Sequence, residues 1–147
     1  MQKRYVIRGE SMWPFLRNGS IVSPIEAEEL EIGDIVVFTT GDSMKVFHRV
    51  VEIGNGETRC KGDNCLHFDS GVSNCGGRYQ VVRHRFKESA ARVSRFWGEH
   101  YSRSHTHNPH TGQRGRTYAR ALTVLQRISM LSIYSAYRFC CRPCTDG

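Results

Sequence analysis

Hydrophobic residues in the first 82 positions occur in short runs, and residues that favour turns end most of these runs. Gly54-Asn55-Gly56 is the clearest turn, because Asn-Gly readily adopts the positive backbone angles of a tight hairpin. Runs of strand length that recur about every ten to fifteen residues are typical of a small all-β domain. The predicted strands are residues 5–7, 21–22, 35–38, 46–53, 58–61 and 79–82.

The pattern changes near residue 83. Residues 83–117 are rich in Arg, His and Ser, which predicts a basic, flexible linker. Residues 118–147 regain a helical period and predict an amphipathic helix with a Cys-containing end. The apolar positions of this helix are Leu125, Ile128, Leu131 and Tyr134 or Ser135. We therefore expect a mainly β, barrel-like domain over residues 1–82, followed by a basic and partly helical tail.

Composition and charge narrow the class of protein. Apolar residues make up 39% of the 147-residue chain and charged residues 24%, which allows a packed core and excludes wholesale disorder. The net charge of +7 comes from the tail: residues 83–120 contain nine Lys or Arg and two Asp or Glu, whereas residues 1–82 contain nine and eleven. A basic tail suits an acidic partner.

The sequence contains no apolar run of about 18 residues and no apolar segment of a secretory signal near its start. We therefore expect a cytoplasmic protein without an ordinary transmembrane helix. The partner expected for the basic segment, residues 83–140, is an anionic membrane surface, which would make the protein peripheral to the cytoplasmic membrane. Nucleic acid is the weaker candidate.

The six cysteines do not predict a disulfide framework, and the first group of three does not predict a metal site. An export signal is missing, and the first group lacks paired C-x-x-C spacing, so structural thiols are expected. The second group leaves open metal binding or reversible palmitoylation. The two groups are Cys60, Cys65 and Cys75, and Cys140, Cys141 and Cys144.

Three short segments of the β domain carry candidate catalytic chemistry. Ser11 follows the first strand within residues 9–14 (GESMWP), where a turn can expose the hydroxyl and aim backbone N–H groups at an oxyanion. His48 lies in a predicted strand, and an imidazole can accept and return a proton near neutral pH. Asp63 and Asp69 are the carboxylates that could orient it. Each residue type alone is more often structural than catalytic.

In this order, the segments resemble the type I signal peptidase family, and most closely its serine–histidine branch of archaeal and endoplasmic-reticulum enzymes. The resemblance covers residues 5–82 and implies the fold shared by the LexA and signal peptidase superfamily. It also implies serine endopeptidase activity that needs no metal or organic cofactor. The matching stretches are residues 11–14 (SMWP), 33–38 (GDIVVF), 48–52 (HRVVE) and 61–64 (KGDN).

The resemblance assigns roles to individual residues. Ser11 corresponds to the nucleophile and supplies one oxyanion donor through its backbone N–H, and His48 replaces the lysine base of the bacterial branch. Asp69, slightly favoured, or Asp63 would orient the imidazole. Family members cleave after small residues, and their substrate lies beside the strand that precedes the nucleophile. The substrate-binding residues would then be Tyr5, Val6, Ile7 and Arg8, with Met12.

Three features differ from the family pattern. Gly9 stands where a hydroxyl-bearing residue often supplies a second oxyanion donor, and Glu10 adds negative charge nearby. The N-terminal membrane anchor is missing, and the C-terminal helix could replace it. The GESM sequence is also similar to LexA-type self-cleaving repressors, but only ten residues precede Ser11. The nearest lysine, Lys45, is an odd three positions from His48 and would face the other side of the strand.

We therefore expect a serine endopeptidase that processes peptide or leader sequences of a polypeptide substrate in trans. The alternative is a catalytically inactive β module whose basic tail binds anionic lipid or nucleic acid. Deletion of the chain after Val82 would separate the two functions, because only the second depends on the tail.

Overall fold

The computed structural model describes residues 3–40, 43–69, 78–106 and 112–140. Within these ranges, seven strands form two sheets, and two helices follow them. The strands are β1 (Tyr5–Val6), β2 (Ile21–Val22), β3 (Ile25–Ala27), β4 (Ile35–Thr39), β5 (Lys45–Gly54), β6 (Glu57–Lys61) and β7 (Tyr79–Val82). The helices are α1 (Lys87–Thr106) and α2 (Gly112–Cys140).

The prediction of a mainly β fold is confirmed in outline, but the described strands do not close into a barrel. Strands β1 and β2 pair as a separate antiparallel ribbon, while the larger sheet has the order β3-β7-β4-β5-β6. The β5–β6 hairpin turns at Asn55 and Gly56, whose φ angles of 51° and 77° are those that the Asn-Gly sequence predicted. Strand β3, which pairs with β7, was not predicted, because its sequence Ile-Glu-Ala contains only one residue that favours strands.

The core lies on both faces of strand β4. Ile35 packs with Ile7, Met12 and Leu16, which fixes the chain on either side of Ser11 to the sheet. The next residue, Val36, packs with Val50, Cys60 and Val81. Successive side chains of a strand point to opposite faces, so β4 separates the two clusters. The segment that contains Ser11 is therefore part of the core rather than a free loop.

The flexible linker expected over residues 83–117 is largely a wrong prediction, because α1 occupies residues 87–106 and packs on β5 and β6. Its most deeply buried side chains are small: Ala90, Ala91 and Ser94 are at most 1% exposed. A Cβ atom at Gly98 would lie 2.7 Å from the Phe68 ring, so the helix approaches the β domain closely. Small inward residues produce little of the hydrophobic periodicity that identifies a helix in sequence.

The predicted C-terminal helix is present as α2, and the apolar positions that identified it in the sequence are not the ones that face the rest of the protein. Leu122, Gln126 and Met130, spaced four residues apart, are at most 3% exposed and contact the rest of the protein. The predicted apolar residues Leu125, Ile128 and Leu131 are between 37% and 57% exposed. No helix in the described ranges has the length and apolar content needed to cross a membrane.

Two substitutions in α2 should separate its inward and outward faces. Met130→Ala should lower the free energy of unfolding by about 2–4 kcal/mol, because it leaves a cavity at a fully buried position. Ile128→Ala, at a position that is 57% exposed, should change it by about 0.5 kcal/mol or less. Urea denaturation measures both, and equal effects would contradict the observed orientation of the helix.

Candidate active site

A cleft of about 410 Å³ lies between β1 and the first half of β5. It brings together Ser11, His48 and every residue that the sequence indicated for substrate binding. Val6 and Met44, on its two sides, are 60% and 62% exposed and give the cleft an apolar rim. The lining residues are Tyr5, Val6, Ile7, Arg8, Ser11, Met12, Met44, Lys45, Val46, Phe47 and His48.

Ser11 lies in the turn after β1, and a loop from the other side of the domain holds its backbone. The backbone N–H of Asn64 donates to the carbonyl oxygen of Ser11 at 2.8 Å, and the Asn64 side-chain amide donates to the carbonyl of Glu10 at 3.0 Å. Asn64 therefore fixes the nucleophile candidate in position. Sequence analysis placed Asn64 in a matching motif but did not predict this role.

His48 is 9% exposed and lines the cleft together with Ser11. Its ring contacts Asp69 on the other side. Its Nδ1 lies 2.7 Å from Oδ2 of Asp69, and the Asp69 backbone N–H donates to the carbonyl of Cys60 at 2.9 Å. A proton on Nδ1 that is donated to Asp69 leaves Nε2 as the acceptor. This is the tautomer that a general base opposite Ser11 requires.

Asp63 has a different partner and does not hydrogen bond to His48. Its carboxylate accepts two hydrogen bonds from Arg49, at 2.8 and 2.6 Å, and both side chains are fully buried. Arg49 also donates to the carbonyl of Gly33 at 2.7 Å and to His84 at 2.6 Å. Of the two carboxylates that the sequence left open, Asp69 is thus the one beside the imidazole.

The hydrogen bond from Arg49 requires Nε2 of His84 to be an acceptor, because a guanidinium group only donates. Burial, then the positive charges of Arg49 and Lys87, lower the pKa of His84 to about 3. His84 is therefore neutral at physiological pH and acts as a structural partner of Arg49 rather than a second base.

Gly62 separates the segment that contains Ser11 from the His48 imidazole. A Cβ atom at this position would lie 2.8 Å from the carbonyl oxygen of Ser11, 3.0 Å from Nε2 of His48 and 2.7 Å from the Cys65 sulfur. The carbonyl oxygen of Ser11 and Nε2 of His48 thus both lie next to Gly62. Within the residues that the structure describes, no hydrogen bond joins the two side chains. In enzymes generally, hydrogen bonds between catalytic groups are often long before substrate binds and shorten afterwards.

Gly62→Ala should push apart the groups that surround Gly62, namely the Ser11 carbonyl, the His48 ring and the Cys65 sulfur. The added methyl group meets a backbone oxygen and a ring, so we expect a loss of about 1–3 kcal/mol in the free energy of unfolding. Gly54→Ala is the matched control, because a Cβ atom there meets nothing within 4 Å. Thermal and urea denaturation of both variants test this, and a Gly62→Ala protein as stable as the control would contradict the close approach.

Sequence analysis missed the polar network behind the site. Lys61, which is fully buried, donates to the Ser94 hydroxyl at 3.2 Å, to the Gln126 side-chain oxygen at 3.3 Å and to the Gly62 carbonyl at 3.3 Å. The Gln126 amide donates to the carbonyls of Asp63 and Cys65. Both helices therefore hold the loop that contains Gly62, so deletion after Val82 would not separate catalysis from tail function.

Burial lowers the pKa of Lys61 to about 8 from an ordinary value of 10.5, against the opposing effect of Asp63, Cys65 and Asp69. Between these two pH values the unfolded chain binds more protons than the folded protein at this group. The contribution of Lys61 to stability therefore rises with pH through this range.

Lys61→Met should remove that rise. Between about pH 7 and about pH 11, the free energy of unfolding of wild type should rise by about 2–3 kcal/mol relative to that of the variant. Using a difference cancels the titration of groups that do not interact with Lys61, and Lys45→Met is the matched control at an exposed lysine. A constant difference across this range would show that burial does not perturb the Lys61 ammonium group.

The thiols and acidic groups of the described residues form no candidate metal cluster of three or more ligands. Cys60 and Cys65 are free thiols, and burial raises the pKa of Cys60 to about 12, so it stays protonated. Cys75, Cys141 and Cys144 lie outside the described residues, as does the side chain of Cys140.

Comparisons of the chain with known protein families, with curated proteins and with solved structures found no match. Any functional conclusion therefore depends on the residues of this chain and on their geometry.

Proposed function

We propose that the protein is a serine endopeptidase of signal-peptidase-like fold, with Ser11 as nucleophile, His48 as general base and Asp69 as the orienting carboxylate. The arrangement around His48 carries the proposal. Asp69 lies 2.7 Å from one ring nitrogen, and the other ring nitrogen faces the point that the Ser11 backbone also borders. A serine, an imidazole and a carboxylate in this order are the groups that acyl transfer requires.

In the proposed reaction, Ser11 Oγ attacks the carbonyl carbon of a substrate peptide while Nε2 of His48 takes the hydroxyl proton. The oxyanion that forms accepts a hydrogen bond from the Ser11 backbone N–H. The imidazolium then gives its proton to the leaving amine, which leaves an acyl-enzyme ester. Water attacks the ester with the same proton transfers in turn, and this releases the acid and restores Ser11.

Two strand edges support an extended polypeptide as the substrate. Strand β1 pairs with β2 along one edge only, and residues 45–48 of β5 pair only with β4 among the described strands. Both free edges border the cleft. A peptide added between them can form main-chain hydrogen bonds to either side, as in strand addition generally. Cleavage after small residues is proposed from the family resemblance.

The residues that differ from the family pattern limit the oxyanion site. Gly9 has a φ of 88° and contributes no hydroxyl, so the proposal depends on backbone N–H groups. Glu10 is exposed and does not line the cleft, which reduces its repulsion of the developing negative charge.

Ser11→Ala and His48→Ala should each reduce peptide cleavage by about 10³-fold or more, because each removes a group that acts in every turnover. Asp69→Asn should cause a loss of about 10²–10⁴-fold. Mass spectrometry of a diverse peptide library, with and without detergent, measures cleavage. Ser132→Ala and His67→Ala, which lie outside the cleft, are the matched controls and should cut as wild type. Cleavage by Ser11→Ala at the wild-type rate would contradict the proposal.

The same preparation distinguishes the inactive β module from an enzyme whose substrate is not in the library. A serine-reactive phosphonate should label wild type at Ser11, and the label should be lost in His48→Ala, which lacks the base. Labelling that is equal in the two proteins would favour the inactive module.

A further inference from the structure

Helix α2 has an apolar face that the described part of the chain leaves uncovered. We call this the outer face; its residues are between 37% and 79% exposed. Their spacing places them on one side of the helix, opposite Leu122, Gln126 and Met130, over a length of about 22 Å. The outer face consists of Val124, Leu125, Ile128, Leu131 and Phe139.

A row of arginines follows one edge of the outer face. Arg120, Arg127 and Arg138 are spaced by seven and eleven residues, which are close to two and three whole turns, so they lie in line. Residues 112–140 contain five arginines and no Lys, Asp or Glu. The positive charge of this helix is therefore not balanced by acidic residues within it.

A groove of about 450 Å³ lies at the C-terminal end of the outer face. Arg17 and Arg138 supply two guanidinium groups, and Leu131 and Phe139 supply apolar surface beside them. The Arg17 guanidinium lies 5.6 Å from the centre of the Tyr134 ring, which holds it at the groove. An anionic headgroup attached to an acyl chain matches both parts of this groove.

We propose that the outer face of α2 binds the surface of an anionic lipid bilayer with the helix axis parallel to that surface. The apolar side chains enter the acyl boundary and Arg120 and Arg138 extend to the lipid phosphates, while Arg127 donates a hydrogen bond to the side-chain oxygen of Asn64. The row of unbalanced positive charge argues for this partner, because the potential of an anionic bilayer attracts each basic residue near its surface. An apolar stripe beside the row, interrupted by Ser135 between Leu131 and Phe139, has the form of an interfacial helix.

Bound in this way, the helix would bring the cleft close to the bilayer. Phe15, four residues after Ser11, packs against Tyr134 of α2 with ring centres 5.5 Å apart. The Arg127 guanidinium lies 5.8 Å from the centre of the Trp13 ring. The helix that carries the outer face is thus in direct contact with the segment that contains Ser11, although the binding proposal does not depend on catalysis.

Flotation of the full-length protein with vesicles tests the proposal. Wild type should bind vesicles of phosphatidylcholine with about 30% phosphatidylglycerol, and should bind pure phosphatidylcholine vesicles at least about tenfold more weakly. Arg120→Gln combined with Arg138→Gln should weaken binding to the anionic vesicles about 25-fold, at about fivefold for each charge, and should reduce its salt dependence. Ile128→Gln combined with Leu131→Gln should weaken it about tenfold or more.

Two controls show whether the effect belongs to this face. Ile53→Gln, at an exposed isoleucine of β5, and Arg92→Gln, at an exposed arginine of α1, should bind as wild type. All variants should keep the wild-type melting temperature. The proposal is overturned if wild type binds neither vesicle, if both vesicles bind equally, or if the outer-face variants bind as wild type. Self-association that Ile128→Gln abolishes, without vesicle binding, would assign the face to a second copy instead.

Discussion

The buried ion pair between Arg49 and Asp63 is the interaction on which the rest of the structure depends. Both side chains are fully buried, and the carboxylate accepts two hydrogen bonds from the guanidinium group. A charge left alone in the interior costs about 3–5 kcal/mol, which is a large part of the stability of a small domain. Because Arg49 follows His48 and Asp63 follows Gly62, the pair also fixes the distance between the imidazole and the loop.

The same guanidinium group connects segments that are distant in sequence. Gly33, which precedes β4, and His84, which precedes α1, both accept hydrogen bonds from it. Phe15 lies against its face, with the guanidinium carbon 4.8 Å from the ring centre. Arg49 thereby joins the start of a strand, the start of a helix and the segment that contains Ser11, so its donors and its planar surface are both used.

The two helices are part of the structure that holds the site. A β domain that ended at Val82 would leave Lys61 without its contacts to Ser94 and Gln126, and would leave the carbonyls of Asp63 and Cys65 without the Gln126 amide. Buried polar groups of this kind are tolerated only when their partners are present. An apolar residue could not replace the inward-facing Gln126 of α2, because the Gln126 amide donates hydrogen bonds to backbone carbonyls of the loop that contains Gly62.

The sequence by itself determined most strands, the β5–β6 turn and the pairing of Ser11 with His48 as candidates, because alternation, Asn-Gly turns and short motifs act through neighbouring residues. Tertiary structure decided that Asp69 contacts the imidazole while Asp63 contacts Arg49, since each choice depends on residues that meet only after folding. It also decided that α1 exists and that Gln126 turns inward. A helix with small or polar inward residues is specified by what it packs against, and that surface is assembled from strands far away in the chain.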